Sequence, residues 1–491
     1  MPQTVDSGTD AAVPDAGEDA AAIDAGPPVC ASGDVCREGV CLPEDLGGTC
    51  AARCTHDADC GELDCLVLPD GEGFALGCGP GADPGYGPGN LCESDGDCRS
   101  LRCEARVCGR TCVDASECAP GMICTDVAVG FAPGTYGGCG FAARSEDLQV
   151  DEIPLGATGI ASDGGGSEFA YVAVPEDAVS LTLVATQPDG ATPLRIGFTS
   201  VTAPDTTLLL DAAALGRGDD TPLRDFSNPF VDAMLVPNST VDRLTFLPGL
   251  YSWRPYSLPE IVDGPWPETD VEITALVKRA AGAIDAGTID LSIWLVDIGV
   301  SAAAAPADAR IQDALGEMEG VLDPAGITLG DVAYREPSDA DAARLGVIDS
   351  TDGSDSELAE MFRLSVGDEG LRVNVFLVRS FASGINGIAG AITGAPGFHG
   401  TLHSGVAARA EAGTLTALQQ GRLIAHEVSH FLGLFHVAEN PDASPLYADD
   451  PIEDTPPDSQ NLMFWSANMD DPNTILTDGQ GYVMRRSALV R

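Results

Sequence analysis

Basic residues are scarce in this sequence, where 25 Lys and Arg stand against 76 Asp and Glu and give a formal charge of −51 at pH 7. A field of this sign repels the phosphates of nucleic acids and anionic membrane surfaces. No apolar run is long enough to span a bilayer, so no membrane span is predicted. Both classes of partner are therefore excluded, and the 491 residues, 44% of them hydrophobic, predict about three domains.

Cysteine is absent after Cys139, and all 16 cysteines lie between Cys30 and that position. An even number at dense spacing predicts a disulfide-stapled segment, an oxidising compartment and no unpaired thiol. Cytosolic, metal-binding cysteines are the alternative, but the C-x-x-C pairs of zinc clusters do not occur. Residues 1–9 lack the basic start and apolar core of a signal peptide, so we expect the export signal to lie outside this sequence.

Residues 1–29 contain six acidic residues but no basic and no aromatic residue. Such a segment cannot bury a core and is predicted to be a disordered, self-repelling tether. It resembles the spacers that follow the acylated cysteine of bacterial surface lipoproteins. This resemblance implies attachment of a secreted protein to a cell surface.

Residues 30–141 contain two tandem eight-cysteine units of similar spacing, which close on Gly-Cys-Gly at Cys78 and Cys139. Each unit is too small for a sufficient apolar core and is expected to depend on its disulfides, whose connectivity the spacing leaves open. Asp-rich turns at 56–59 and 93–97 leave calcium binding as an alternative to solvation, and we favour solvation. We interpret the segment as a spacer or binding module.

Residues 146–280 contain short β-prone runs separated by Gly, Pro and Asp turns, and their regular spacing predicts a β-sandwich. Three of these runs are Phe169–Val174, Ser180–Thr186 and Val271–Val277. The stretch Leu244–Ser252 resembles the Pro-Gly-x-Tyr strand entry of jelly-roll modules that flank secreted peptidases. Substrate or surface binding and packing against the next domain both remain open as roles.

Residues 286–491 return to a mixture of helices and strands, in the order expected of a zincin domain. A long helix is predicted at Leu415–Leu434. It is preceded by an alternating strand, a helix, a buried strand and a glycine-rich edge strand: Ile289–Val296, Ala307–Val321, Val373–Val378 and Gly384–Ala391.

The predicted long helix carries a five-position metal signature, H-E-x-x-H-x-x-G-x-x-H. His426 and His430 are four residues apart, so their imidazoles project from one helix face and can share one ion. Gly433 permits a left-handed bend that brings His436 to the same ion. Three imidazoles with one open position describe a catalytic zinc site, and Glu427 beside them is free for proton transfer.

Segments downstream of this signature carry a family resemblance. The signature and these segments together resemble the metzincin metallopeptidases and, within that clan, the pappalysin family. The resemblance covers about the last 200 residues and implies that Met463 is the Met-turn residue below the zinc. The segments are Asp454-Thr455-Pro456, Asn461-Leu462-Met463 and Thr477-Asp478-Gly479-Gln480 with Met484-Arg485.

The predicted fold class is therefore multidomain: disulfide-rich repeats, an all-β sandwich and an α+β zincin domain of the metzincin type. Metzincins of several families place a tyrosine two residues after the methionine, where this chain has Trp465. An indole does not ligate zinc, so oxyanion stabilisation must depend on zinc and backbone groups.

The predicted function is extracellular endopeptidase activity on protein or peptide substrates. A zinc-activated water attacks the peptide bond and Glu427 acts as general base. The substrate is expected to lie extended along Gly387–Ile392. The alternative is a surface binding or adhesion protein with a silent zincin domain.

Two further segments carry side chains that bind metals in other proteins. The acidic loop Asp442–Asp458 leaves calcium open as a second cofactor. His399 and His403 leave a second metal site or a substrate-lining role open, although we favour two solvent-facing loop histidines.

Overall fold

The structure, a computed structural model, describes most of the chain after residue 102 and separated segments before it. Two compact units are formed, Met1–Pro80 with Ala128–Gly134 and Gly81–Val127 with Thr135–Arg491. The predicted tether at 1–29 lies outside the described residues. These residues are 39–42, 48–61, 63–70, 73–79, 92, 98, 103–129, 133–145, 147–160, 167, 169–188, 194–215, 221–241, 244–259, 269–411, 413–438, 450–466 and 474–491.

Disulfides link the cysteines of the N-terminal segment in successive groups of four. Within each described group, the first cysteine pairs with the third and the second with the fourth. The second predicted eight-cysteine unit is therefore built from two four-cysteine units, and the cross-links fit an extracellular or secreted protein. The pairs are Cys54–Cys65, Cys60–Cys78, Cys92–Cys103, Cys98–Cys108, Cys112–Cys124 and Cys118–Cys139.

Short antiparallel hairpins make up the regular structure of these cysteine-rich segments. In the first eight-cysteine repeat, the hairpins are formed by β1 Gly39–Cys41, β2 Cys50–Ala52, β3 Asp64–Asp70 and β4 Gly73–Gly79. In the second eight-cysteine repeat, they are formed by β5 Cys103–Glu104, β6 Val107–Cys108, β7 Ile123–Ala128 and β8 Thr135–Gly140.

Acidic side chains in the described cysteine-rich turns cap the turns themselves. The Asp59 carboxylate accepts hydrogen bonds from both the backbone N–H and the hydroxyl of Thr55, each at 2.7 Å. Glu117 accepts from the Val113 N–H in the same way at 2.7 Å. These local bonds engage both carboxylates, and calcium binding in these turns stays a prediction. The turn at 93–97 lies outside the described residues.

Two antiparallel sheets enclose one apolar core between residues 149 and 279. The larger sheet has the order β10-β16-β12-β13 with β14 beside β12, and the smaller has the order β15-β11-β17-β9. Phe198, Tyr251 and Trp253 are fully buried between them, as the predicted sandwich requires. The elements are β9 Gln149–Ile160, β10 Ala170–Val174, β11 Ala178–Thr186, β12 Leu194–Thr202, β13 Leu208–Asp211, α1 Ala212–Leu215, β14 Asn228–Pro229, β15 Val231–Val236, β16 Gly249–Pro259 and β17 Thr269–Arg279.

A carboxyl pair, the half-buried Asp225 and the buried Asp232, lies at the side of this sandwich. Asp232 accepts from the Asn228 amide at 2.8 Å, and Asp225 accepts from the Phe198 N–H at 2.9 Å. Burial raises the pKa of Asp225 to about 6. Burial and the neighbouring Asp225 charge raise the pKa of Asp232 well above its usual range. The pair therefore retains a proton at pH values where the unfolded chain has lost it.

Replacing Asp232 with asparagine is expected to raise the melting temperature by a few degrees at pH 8, and by much less at pH 4. A carboxyl whose folded pKa is raised contributes stability below its unfolded pKa of 3.8 and loses it as pH rises through its folded pKa, which for Asp232 lies well above 3.8. Asparagine has the same shape but does not ionise, so it removes the cost of a buried carboxylate charge at pH 8. Scanning calorimetry across this range tests the effect. The exposed Asp270 on β17 supplies the control, D270N, and equal gains in both variants would contradict the assignment.

The C-terminal sheet has the order β19-β18-β21-β24-β23, with α2 and α5 packed together on one side. Its strands run parallel except β23, which pairs antiparallel with β24 at the edge. The elements are β18 Gly287–Val296, α2 Ala309–Leu322, β19 Ile327–Arg335, α3 Asp339–Leu345, β20 Val347–Ile348, α4 Glu357–Phe362, β21 Arg372–Val378, β22 Ser380–Phe381, β23 Gly387–Ala389, β24 Val406–Arg409, α5 Ala417–Phe431 and α6 Asp478–Met484.

β18 is buried on both of its faces. It contains the alternating strand predicted at Ile289–Val296, and every residue in that range is buried. β18 lies centrally with a parallel partner on each side, and layers cover both of its faces. Polar residues such as Ser292 are therefore enclosed as well.

No helix in the part of the chain that the structure describes is long and apolar enough to cross a membrane.

Candidate metal centre

Helix α5 brings the first two histidines of the signature into the core. Thr416 caps its start, accepting from the Gln419 N–H at 3.2 Å while Gln419 accepts from the Thr416 N–H at 2.9 Å. The helix ends at Phe431, so it is shorter at both ends than the predicted Leu415–Leu434. Its second half is buried on nearly every face, including both histidines.

Gly433 turns the chain sharply after the helix. Its φ of +107° lies in the left-handed region, which a glycine adopts without a Cβ penalty. The Leu434 N–H then closes the helix end on the Ser429 carbonyl at 3.0 Å. A Cβ at Gly433 would also lie only 3.1 Å from the Leu235 side chain, which the sandwich strand β15 inserts here. The left-handed conformation therefore favours glycine, and a larger residue would also be in tight contact with Leu235.

The turn brings three imidazoles together. His426, His430 and His436 each offer a ring nitrogen, and these nitrogens all lie within 4.8 Å of one another. The Nε2 atoms of His430 and His436 are 3.1 Å apart. Two nitrogen ligands on a tetrahedral zinc are separated by roughly 3.3 Å, given metal–nitrogen bonds of about 2.0–2.1 Å. The donor set fits that ion.

Backbone carbonyls fix the orientation of the two helix histidines. His426 Nδ1 lies 2.6 Å from the Leu462 carbonyl, and His430 Nδ1 lies 2.7 Å from the Leu434 carbonyl. A carbonyl requires a donor, so each Nδ1 carries the proton and each Nε2 presents its lone pair to the cluster. Burial lowers the pKa of His426 to about 4 and that of His430 well below its usual range, favouring the neutral rings that bind metals.

Glu427 lies beside this cluster and against the edge strand β23. A Cβ at Gly387 would be 2.5 Å from its carboxylate, and the backbone N–H of Ala389 donates to it. Burial raises the pKa of Glu427 to about 8, and the Ala389 hydrogen bond opposes that rise. The side chain is thus held at the open edge of the sheet.

The hydrogen bonds of β23 show which of its residues face outwards. Arg409 donates to the Asn386 carbonyl at 2.7 Å, and Gly390 donates to the Gly405 carbonyl at 2.8 Å. In this segment the backbone N–H and C=O groups of the even-numbered residues therefore point towards β24. Gly387 and Ala389 therefore turn their backbone groups towards the edge where Glu427 lies.

Met463 is fully buried in a turn that contacts two parts of the signature. Leu462 provides the carbonyl for His426, and the Met463 carbonyl accepts from the Val437 N–H at 3.0 Å. The turn therefore lies against both the helix and the His436 segment, where the resemblance places a Met-turn. Trp465, two residues on, is 37% exposed.

His399 and His403 do not join the cluster. His399 contacts the Asn374 amide at 3.0 Å and the Gly370 carbonyl at 2.8 Å, and His403 contacts the Gly390 carbonyl at 2.7 Å. Both lie in loops and are half-buried, so they face the solvent only in part. Their hydrogen bonds connect neighbouring loops. Neither histidine belongs to a group of metal-binding side chains within the described residues.

Calcium binding by the acidic loop Asp442–Asp458 stays a prediction, because residues 442–449 lie outside the described residues. In the described part, Asp450 accepts from the Thr455 hydroxyl at 2.6 Å. Asp454 accepts from Thr477 at 2.8 Å and from the Gly479 N–H at 3.0 Å, which fixes the start of α6. These carboxylates bind protein donors.

Sequence reasoning missed the backbone groups of the site and its contact with the sandwich. The carbonyls of Leu434 and Leu462 and the N–H of Ala389 have no residue code, because every residue has them. Leu235 is one apolar residue among many in a β-prone run. One signal was available: Thr416 followed by Gln419 is a capping box, which marks the start of α5.

Comparison with known proteins assigns no family. No family model matches the sequence, and no curated protein matches it. Metalloproteinase-II from Bacteroides fragilis aligns at 16% identity with a TM-score of 0.20, covering 35% of this chain and 51% of that protein. The infectious bursal disease virus VP2 subviral particle aligns at 11% identity with a TM-score of 0.18, covering 32% and 38%. The chain thus spans about half or less of each structure, and likenesses this small assign neither fold nor function.

Proposed function

We propose that this protein is an extracytoplasmic zinc endopeptidase with a pappalysin-like metzincin domain at 286–491. The observation that carries the proposal is the convergence of His426, His430 and His436, with Glu427 beside them. Two of the rings present Nε2 and are oriented through Nδ1 by backbone carbonyls, an arrangement typical of metal ligands. The disulfide pattern supports an oxidising location.

The three imidazoles would hold one zinc ion. When bound, zinc polarises the scissile carbonyl, activates a water molecule and stabilises developing negative charge. Neutral rings suit this role, and burial keeps His426 and His430 neutral at physiological pH by lowering their pKa values.

Glu427 acts as general base and then as general acid. Its carboxylate accepts a proton from the attacking water and delivers that proton to the leaving amine. Gly387 leaves room for this side chain, and the Ala389 N–H holds it. A substrate peptide lies extended along β23 and pairs with the outward backbone groups of Gly387 and the carbonyl of Ala389, because the Ala389 N–H already binds Glu427. Met463 supports the site from below.

Metal removal tests the proposal. The purified protein is expected to contain one equivalent of zinc and to hydrolyse casein or a mixed fluorogenic peptide library. A zinc chelator should abolish hydrolysis, and added zinc should restore it. Elemental analysis and the peptidase assay measure the two parts separately.

The binding-protein alternative predicts a different result. One equivalent of zinc without turnover on any peptide would favour a silent site. Hydrolysis that persists after complete metal removal would contradict the zinc mechanism.

A further inference from the structure

Two amide side chains form a closed pair in the core beside the Met463 turn. The Asn461 Nδ2 donates to Gln480 Oε1 at 3.0 Å, and the Gln480 Nε2 donates to Asn461 Oδ1 at 3.0 Å. Asn461 is 3% exposed and Gln480 is completely buried. Gln480 lies in α6 and Asn461 lies 19 positions earlier, at the start of the turn, so the pair joins α6 to the turn.

The same asparagine shapes the turn that contacts His426. Its Oδ1 accepts the Met463 N–H at 2.8 Å, in addition to the amide of Gln480. The residue between them, Leu462, then directs its carbonyl at His426 Nδ1, 2.6 Å away. The pair therefore acts on His426 only through the Met463 turn and the Leu462 carbonyl. It contacts neither the imidazole nor the reacting atoms.

Gln480 is itself positioned by the start of α6. Its Oε1 accepts from the Thr477 N–H at 3.0 Å, and Thr477 Oγ1 accepts from the Gln480 N–H at 3.2 Å. Asp454 accepts from Thr477 and Gly479, which anchors this helix end. Gln480 thus serves two purposes: it closes the capping box, and it holds Asn461.

We infer that Asn461 and Gln480 are positioning residues that fix the tautomer and ring orientation of His426 through the Leu462 carbonyl. The inference rests on the proposed zinc function of the histidine cluster. If the pair opens, the Met463 N–H loses its acceptor and the Leu462 carbonyl is free to move. Loss of such an outer partner typically weakens metal binding by about 10–100-fold.

Two substitutions of Gln480 test this role through zinc affinity. Q480E keeps a capping acceptor but removes the amide donor to Asn461. Q480M removes all three side-chain hydrogen bonds, two with Asn461 and one with Thr477, without adding a charge. Competition with a chromophoric chelator is expected to show a zinc Kd raised about 10–100-fold in both variants. The absorption spectrum of the cobalt-substituted protein should change with the ligand geometry. A merely structural residue would leave that spectrum unchanged.

Gln419 provides a matched control, because it occupies the same capping-box position in α5. Q419E is expected to leave the zinc Kd within about two-fold of the parent, since Gln419 caps the start of α5 while Gln480 holds Asn461 in the Met463 turn. Parental affinity and cobalt spectrum in both Gln480 variants would overturn the inference while leaving the proposed function intact. A parent that binds no zinc would overturn both. A parent that binds zinc without turnover would overturn the peptidase activity alone, because affinity measures the pair independently.

Discussion

Replacing Glu427 with glutamine is expected to lower peptide hydrolysis by about 10²–10⁴-fold while zinc remains bound. Glutamine has nearly the same size as glutamate, so it fits against Gly387 and leaves the three imidazoles in place. Its amide oxygen does not serve as a base, and the attacking water keeps its proton. Initial rates on casein and zinc content by elemental analysis measure the two consequences in one preparation.

Glu360 supplies the matched control for this substitution. It is a surface residue of α4, 43% exposed and paired with Arg344. E360Q therefore removes the same charge without reaching the site, and its hydrolysis rate should equal that of the parent. If E427Q cuts casein as fast as E360Q, Glu427 is not the base. If E427Q loses its zinc as well, the lost activity reflects the metal and not proton transfer.

The convergence of the histidines is the part of the site that could be predicted from residues alone. The i, i+4 spacing of His426 and His430 fixes their common face, and Gly433 at the helix end requires a bend. These are local constraints, acting within one turn of helix and the residues that follow it. The metal and the roles of the site residues stay predictions.

Contacts between distant segments could not be predicted in this way. Leu235 enters the space beside Gly433 from a sandwich strand about 200 positions earlier in the chain. Asn461 and Gln480 are each ordinary polar residues until the fold pairs their amides. Such partners depend on how layers pack, and a hydrophobic pattern encodes burial without naming the neighbour.

The contact of Leu235 also bears on the role of the sandwich, for which the sequence leaves open a binding role and a packing role. Leu235 belongs to the apolar core of the C-terminal sheet, and Ser180 donates to the Arg486 carbonyl at 2.6 Å. The sandwich is thus a packing partner of the C-terminal region, while a binding role stays a prediction.

Lys278 shows how strongly this packing depends on one side chain. It is the single lysine of the chain, and it is completely buried in β17 of the sandwich. Its ammonium donates to the carbonyls of Arg485 at 2.6 Å and Ser487 at 2.9 Å, and to that of Val490. Burial, with the nearby Arg486 charge, lowers its pKa to about 7. Three acceptors match the three N–H bonds of an ammonium and offset this desolvation.

Replacing Lys278 with methionine is expected to destabilise the protein by about 3 kcal/mol, since three buried carbonyls at the exit of α6 lose their donor. Methionine retains most of the apolar stem, so the loss reports on the hydrogen bonds more than on packing. For a region of this size the melting temperature should fall by roughly 6–12 °C. Calorimetry or thermal circular dichroism measures the shift.

Arg310 offers a matched control, because its guanidinium donates to one loop carbonyl, that of Ala410 at 2.7 Å. R310M is expected to lower the melting temperature by only a few degrees. A second readout uses the lysine itself: amine acylation of the folded parent should spare Lys278 and should reach it on unfolding. Rapid acylation of the native protein, or a K278M melting temperature equal to that of R310M, would contradict this account. In either case the anchorage of the C-terminal segment would not depend on Lys278.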